Sequence, residues 1–139
     1  MNSEIEKLLP HRSPFLFVDE IISFDEEKII ARHVFSENEF FFAGHFPGYP
    51  VVPGVILIET MAQSGGAGLR KLGILGAEKL FFLATVDKVK FRRQVRPGDE
   101  LRSEIENLRI SAQMIKQQGK AYVGDELAAE AEWMCLVGE

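Results

Sequence analysis

Apolar and polar positions repeat along the chain with two different periods, and these periods predict its elements. Two runs rich in aromatic and β-branched residues, Phe15–Phe24 and Lys28–Phe35, are separated by an acidic turn and predict paired strands. Val55–Leu69 is apolar on nearly all sides, which predicts a helix enclosed by protein. Ser3–Leu9 predicts a short helix at the start of the chain.

A second group of strand-like segments follows the predicted central helix, with turns rich in Gly, Pro and Asp between them. One buried helix between a hairpin and a meander predicts an α+β fold, in which an antiparallel sheet is wrapped around one long central helix. We expect a single domain over residues 1–139. The later segments are Leu80–Arg93, Glu100–Ile110, Ala112–Val123 and Glu126–Val137.

Composition narrows the functional classes. A net charge of -5 argues against general nucleic-acid binding. No uncharged apolar run approaches the roughly 18 residues of a spanning helix, so we expect no membrane insertion. The one cysteine, Cys135, excludes an intrachain disulfide framework and a cysteine-rich metal site. A cytoplasmic protein is therefore expected.

Glu59 is the most informative polar residue, because it is the one charged residue of the apolar run Val55–Leu69. A buried glutamate is rare unless it is paired or has a task, and burial should raise its pKa so that it can donate a proton near neutral pH. Gln63 lies one helical turn further on and could orient it. The alternative is a Glu59 that points out through a gap in the sheet and is merely solvated.

His45 is the natural partner of Glu59. It follows Gly44 in a turn rich in glycine and proline, and its imidazole can remove or return a proton near neutral pH. Taken alone, a loop histidine bonded to a nearby carbonyl is a slightly better interpretation. Gly54 begins the predicted helix, where a free N–H could polarise a carbonyl oxygen, although a simple turn into the helix explains it as well.

The remaining histidines are weaker candidates. His33 alternates within a strand and is expected to pack, and His11 is expected to make a structural loop contact. The scattered histidines have no metal-ligand spacing, and no glycine-rich phosphate loop is present, so neither a metal nor a cofactor is expected. A run of basic residues without acidic neighbours is either a solvated strand face or a docking patch for an acidic partner. Its members are Lys88, Lys90, Arg92, Arg93 and Arg96.

The segment GHFPGYPVVPGVILIETMAQ, residues Gly44–Gln63, strongly resembles the FabZ-type 3-hydroxyacyl-[acyl-carrier-protein] dehydratases. Leu8–Ile21, Val86–Leu101 and Glu130–Cys135 are similar to the family as well, so the likeness covers almost the whole chain. The resemblance implies a hot-dog fold. It also implies a homodimer with two shared active sites, often assembled further as a trimer of dimers, and an acyl carrier protein as the partner that bears the substrate.

The resemblance also implies roles for particular residues. His45 and Glu59 match the catalytic pair, which in the family meet from different subunits, and Gly54 matches the glycine whose N–H holds the thioester carbonyl. Gln63 matches the glutamine beside the acid. Phe81 and Phe82 lie where the family has aromatic residues, often tyrosines, at the acyl tunnel.

The expected reaction removes water from a (3R)-hydroxyacyl thioester to give the trans-2-enoyl thioester, in fatty acid biosynthesis. Two other functions stay open at this point. One is a hot-dog acyl thioesterase, which would release free acid and thiol. The other is a non-catalytic acyl-binding module, which would need the tunnel but not His45 together with Glu59.

Overall fold

The computed structural model describes residues 3–76 and 78–138. These residues form two helices and six strands in an α+β order. The elements are α1 (Ser3–Leu8), β1 (Glu20–Phe24), β2 (Lys28–Val34), α2 (Gly54–Lys71), β3 (Leu80–Phe91), β4 (Glu100–Ile110), β5 (Met114–Val123) and β6 (Glu126–Gly138).

The six strands make one sheet in the order β1-β2-β4-β5-β6-β3, and every neighbouring pair is antiparallel. Helix α2 packs against the sheet and contacts all six strands, so its long apolar surface lies in the core. Met61 and Leu69 of this helix are fully buried, as is Trp133 on β6. The predicted fold, an antiparallel sheet around one long helix, is confirmed.

Three glycines of α2 let the sheet approach the helix closely. The nearest neighbours of these glycines are side chains, which occupy the space where a Cβ would stand. A methyl group at any of these positions would overlap its neighbour, so packing outweighs the low helix propensity of glycine. The pairs are Gly65 with Gln117, Gly66 with Phe81 and Gly68 with Ile29.

The first strand is shorter than predicted, because β1 begins at Glu20 and residues 15–19 are irregular. The apolar character of this segment reflects burial against α2 instead of pairing in the sheet. The Phe17 N–H donates to Gln63 Oε1 at 2.8 Å, and Gln63 Nε2 donates to the Phe15 carbonyl at 3.2 Å. A side-chain amide of the helix thus takes the place of a neighbouring strand.

The other predicted elements are confirmed, with ends that differ by at most two residues from those expected. Strand β3 forms an edge of the sheet and pairs along its length with β6 alone. Its ladder has a bulge between Asp87 and Lys90, where Lys88 has a φ of 53°. Both faces of this edge strand carry exposed positions, so much of β3 has no cover within one chain.

Candidate active site

Glu59 lies in the second turn of α2, on the side covered by the N-terminal segment. Its side chain keeps 23% of its exposure, so the carboxyl group is half-buried but reachable. Burial raises the pKa of Glu59, and the hydrogen bond from Gln63 opposes this rise without cancelling it. A larger share of the carboxyl groups is therefore protonated near neutral pH than at an ordinary surface glutamate.

Gln63 holds the Glu59 carboxyl in a defined orientation. The glutamine is fully buried, and its oxygen is occupied by the Phe17 N–H. Its NH₂ group therefore has to face the Phe15 carbonyl and Glu59, and Nε2 donates to Glu59 Oε2 at 2.8 Å. Oε2 is thus the oxygen that accepts, so a proton on the carboxyl group belongs on Oε1.

His11 is a neighbour of Glu59 that the sequence did not predict. Its Nε2 lies 3.6 Å from Glu59 Oε2, and its ring centroid lies 5.8 Å from that of Phe81. Burial, and then the positive charges of Arg70 and Arg12, lower the pKa of His11, which keeps the imidazole neutral. The sequence carries one indication of this contact: His11 lies four residues before the segment that pairs with Gln63.

His45 lies in the loop between β2 and α2, where backbone bonds fix it on both sides. Its N–H donates to the Phe41 carbonyl, and its carbonyl accepts from the Val51 N–H. The ring stacks on Phe46 with centroids 4.2 Å apart, and Nδ1 lies 3.0 Å from the Val51 carbonyl oxygen. Because a carbonyl can only accept, Nδ1 carries the hydrogen and Nε2 keeps a free lone pair.

The loop that carries His45 is anchored by a buried histidine. His33 on β2 lies 2.8 Å from Asp19 through Nδ1 and 2.8 Å from Glu39 through Nε2. Burial alone would lower the pKa of His33, but hydrogen bonds to these two carboxylates outweigh it and raise the pKa. His33 packs against Phe17 and Phe35, as expected, and in addition it links β2 to the segment before β1 and to the His45 loop.

Gly54 is the first residue of α2, as predicted, and Pro53 before it offers no side-chain cap. The space beside its Cα is filled by the Phe91 ring, which a Cβ at position 54 would overlap. The glycine is therefore explained by packing as well as by access to its N–H. Phe91 itself is half-exposed at the end of β3.

The two phenylalanines expected at the acyl tunnel have different surroundings. Phe81 packs against Gly66 of α2, and the Arg70 guanidinium lies 5.9 Å from its ring centroid. It therefore belongs to the same cluster as His11 and Glu59. Phe82 is 55% exposed on the edge strand, so within one chain it lines no enclosed channel.

The basic run is less positive in the structure than it is in the sequence, because β6 places glutamates beside it. Lys88 Nζ lies 3.3 Å from Glu132, and Arg92 Nε lies 2.6 Å from Glu130. Arg93 contacts acidic residues as well, Glu126 at 3.1 Å and Asp99 at 3.6 Å. Arg96 is engaged with the His45 loop: its Nε donates to the Pro50 carbonyl and its guanidinium lies 4.2 Å from the Tyr49 ring centroid.

His45 and Glu59 are not joined within one chain. Over residues 3–76 and 78–138, neither a hydrogen bond nor an ion pair connects them, whereas Gln63 and His11 both approach Glu59. In the same part of the chain no group of three His, Cys, Asp or Glu side chains could hold a metal ion. None of the described helices is long and apolar enough to cross a membrane.

Comparison with solved structures supports the fold. The chain resembles the dehydratase heterocomplex ApeI:P from Xenorhabdus doucetiae with a TM-score of 0.82 at 16% identity, over 97% of this chain and 91% of that one. A thioesterase from Haemophilus influenzae is similar with a TM-score of 0.59 at 16% identity, over 85% of this chain and 76% of that one. At these identities the likeness concerns the fold alone.

Comparison of sequences identifies the family. A FabA-like domain matches residues 9–132. The chain is 48% identical over 136 residues to the 3-hydroxyacyl-[acyl-carrier-protein] dehydratase FabZ of Desulforamulus reducens, covering 97% of this chain and 95% of that protein. It is also 48% identical to the FabZ of Pelotomaculum thermopropionicum, covering 97% and 96%. The chain therefore belongs to the FabZ dehydratase family, within the FabA-like domain class.

Proposed function

We propose that this protein dehydrates (3R)-hydroxyacyl-[acyl-carrier-protein] to the trans-2-enoyl thioester in fatty acid biosynthesis, with Glu59 as acid and His45 as base. The observation that carries the proposal is the half-buried Glu59 carboxyl, whose pKa is raised and whose Oε2 is held by Gln63. The names of the relatives at 48% identity support the same reaction.

The proposed step moves one proton at each end of the C2–C3 bond. His45 Nε2 takes the C2 proton, since its Nδ1 is occupied by the Val51 carbonyl. The electron pair left at C2 forms the double bond as the C3–O bond breaks, and Glu59 gives its proton to the departing hydroxyl, which leaves as water. Proton transfer from His45 back to Glu59 through solvent restores the starting state.

The thioester oxygen needs a hydrogen-bond donor while charge develops on it. The N–H groups of the first turn of α2 are suited to this, because a helix N-terminus offers free donors and a positive dipole end. We therefore propose that the Gly54 N–H binds this oxygen, and that Phe81 and Phe82 contact the acyl chain. Phe81 lies beside the Glu59 cluster in one chain, whereas Phe82 requires a second chain to cover it.

We further propose that the active site forms between two subunits. The edge strand β3 lacks a partner on one side, and large apolar side chains remain uncovered on it and around the start of α2. Such surface on a single chain indicates an interface. A homodimer would bring His45 of one subunit to Glu59 of the other, and a trimer of dimers remains a prediction for light scattering. The exposed residues are Phe46, Val55, Phe82, Leu83 and Phe91.

A complementation experiment tests the acid, the base and the shared site together. His45→Ala and Glu59→Gln should each lose dehydration by at least about a hundredfold, measured as enoyl thioester formed. Co-refolding the two inactive variants in equal amounts should restore about a quarter of wild-type activity, since half of the dimers are mixed and one of their two sites is intact.

The outcomes separate the alternatives. If either single variant keeps near-full dehydration, the proposed chemistry is wrong. If both are inactive and mixing restores nothing, the pair acts within one subunit and the shared site is wrong. Release of free acid and thiol by the wild type would identify a thioesterase instead.

The basic run is proposed as a docking face for the acyl carrier protein, although its glutamate partners reduce its charge. Lys90 is the informative position, because it is exposed and lies opposite Glu130, which already contacts Arg92. Lys90→Glu should raise KM for a carrier-bound substrate and leave KM for a short thioester analogue unchanged. Equal effects on both substrates would contradict docking at this face. The single, buried free cysteine supports a reducing compartment, and we propose the cytoplasm.

A further inference from the structure

We infer that His11 is a positioning residue for Glu59, which stabilises the carboxylate that remains once the acid has given up its proton. This inference rests on the proposed function. It begins with the placement of the imidazole: His11 Nε2 lies 3.6 Å from Glu59 Oε2, the same oxygen that accepts from Gln63 at 2.8 Å. Two nitrogens therefore converge on one oxygen.

The loop around His11 is held firmly enough to keep the ring in place. Arg12 donates to three carbonyl oxygens of the chain around it, those of Glu6, Leu9 and His11, at distances from 2.7 to 3.1 Å. The Phe81 ring packs against His11 on the other side. Both contacts restrict the imidazole to the side of α2 that carries Glu59.

The second ring nitrogen indicates which tautomer is present. His11 Nδ1 is buried and has no hydrogen-bond partner among the described residues. A buried N–H without an acceptor is costly, so the hydrogen is better placed on Nε2, where it faces the accepting oxygen. His11 thus presents Nε2–H to Glu59, the reverse of His45, whose hydrogen is on Nδ1.

At 3.6 Å the contact is too long for a hydrogen bond, and we expect it to shorten as negative charge develops on the carboxyl group. The charged and titratable groups around this pair are few. Arg70 and Arg12 lie close enough to act on His11, and Cys135 on β6 lies within the field of Glu59. Burial, with the Glu59 charge, raises the pKa of Cys135 to about 12, so this thiol stays neutral.

The test compares two substitutions of the same residue. His11→Phe keeps a ring against Phe81 and removes both nitrogens, whereas His11→Gln keeps an N–H near the position of Nε2. In His11→Phe the carboxylate loses a donor, so the alkaline limb of the kcat/KM profile should move up by about one pH unit. The rate at pH 7 should fall about tenfold, and His11→Gln should restore both most of the way.

A measurement on the wild-type protein keeps the inference testable if His11→Phe folds poorly. Nitrogen-15 NMR at pH 7 should find His11 as the Nε2–H tautomer and His45 as the Nδ1–H tautomer. An unchanged alkaline limb in a folded His11→Phe enzyme, or an Nδ1–H tautomer at His11, would overturn the inference. Glu59→Gln distinguishes failure of this inference from failure of the proposed function. An active Glu59→Gln enzyme would contradict the proposed function, whereas an inactive one would leave only the role of His11 in question.

Discussion

Two histidines next to carboxyl groups, the buried His33 and the half-buried His11, have opposite properties in this molecule. His33 is bonded through both ring nitrogens to Asp19 and Glu39, and its pKa is raised. His11 approaches one carboxyl group at 3.6 Å, leaves Nδ1 without a partner in the described chain, and has a lowered pKa. Burial acts in the same direction on both rings, so the difference lies in the number of close carboxylates and in the nearby arginines.

The comparison teaches that a histidine beside a carboxyl group has no fixed role. Two short bonds to carboxylates favour the cationic form of His33, which links β2 to the loop before His45. One long contact and two nearby arginines keep His11 neutral, so it can respond to a change of charge on Glu59. The arrangement around His33 stabilises the fold, whereas the arrangement around His11 leaves an imidazole that can respond during the reaction.

The largest expected effect is on the free energy of unfolding when each histidine is truncated. His33→Ala removes the cation between the half-buried Asp19 and Glu39 and leaves, among the described residues, only Arg32, 4.0 Å from Asp19, so it should cost about 3 kcal/mol. His11→Ala loses only packing and one long contact, and should cost about 1 kcal/mol or less. Urea unfolding at pH 6.5 measures both, and equal losses would contradict the contrast.

A smaller effect is expected when one of the two carboxylates around His33 is neutralised. Glu39→Gln keeps a hydrogen-bond acceptor for Nε2 but removes its charge, so the pKa of His33 should fall and stability should decrease by about 1 kcal/mol. NMR titration of the His33 ring measures the first change. The His11 titration, which Glu39 does not influence, serves as the internal control, and a His33 pKa that does not move would argue against the link.

The smallest effect is the dependence of stability on pH, which should have opposite signs at the two rings. Because the folded pKa of His33 is raised, its contribution is present below the unfolded value of 6.5 and is lost as the pH rises through the folded pKa. Because the folded pKa of His11 is lowered, its protonation removes stability as the pH falls from 6.5 through that pKa.

Unfolding measured over a pH series in two glutamine variants checks these signs. His33→Gln should lack the loss on the alkaline side, and His11→Gln should lack its part of the loss on the acid side. The same pH dependence in both variants would mean that other groups, such as Asp19 with its lowered pKa, determine the profile.

Local periodicity was sufficient to predict the helix and the acid with its amide. Glu59 and Gln63 are four residues apart on a helix, so their contact follows from helical geometry alone. The antiparallel sheet also follows from alternation and turn residues, but the order of its strands does not: a simple meander would pair β3 with β4, whereas β3 pairs with β6 and β2 with β4. His45 was assigned by its loop and by the family resemblance, and its Nδ1 contact shows how the ring is oriented.

What the sequence could not predict depends on contacts between distant segments. The Phe17 N–H finds its acceptor 46 residues away on a side chain, so a strand-like pattern did not make a strand. Lys88 and Glu132 are 44 residues apart and meet only through the register of β3 with β6. Contacts of this kind offset much of the positive charge of the basic run. His11 reaches Glu59 because the same segment that pairs with Gln63 carries it there.

The amide at position 63 leaves little freedom for substitution. Its oxygen accepts one hydrogen bond from the main chain, and its NH₂ group donates two, one to a carbonyl and one to the Glu59 carboxyl. Glutamate would offer no hydrogen in its ionised form, methionine would offer none at all, and asparagine is one methylene too short. A substitution here would loosen the N-terminal segment and remove the hydrogen bond that orients the Glu59 carboxyl. Stability and activity should therefore decrease together.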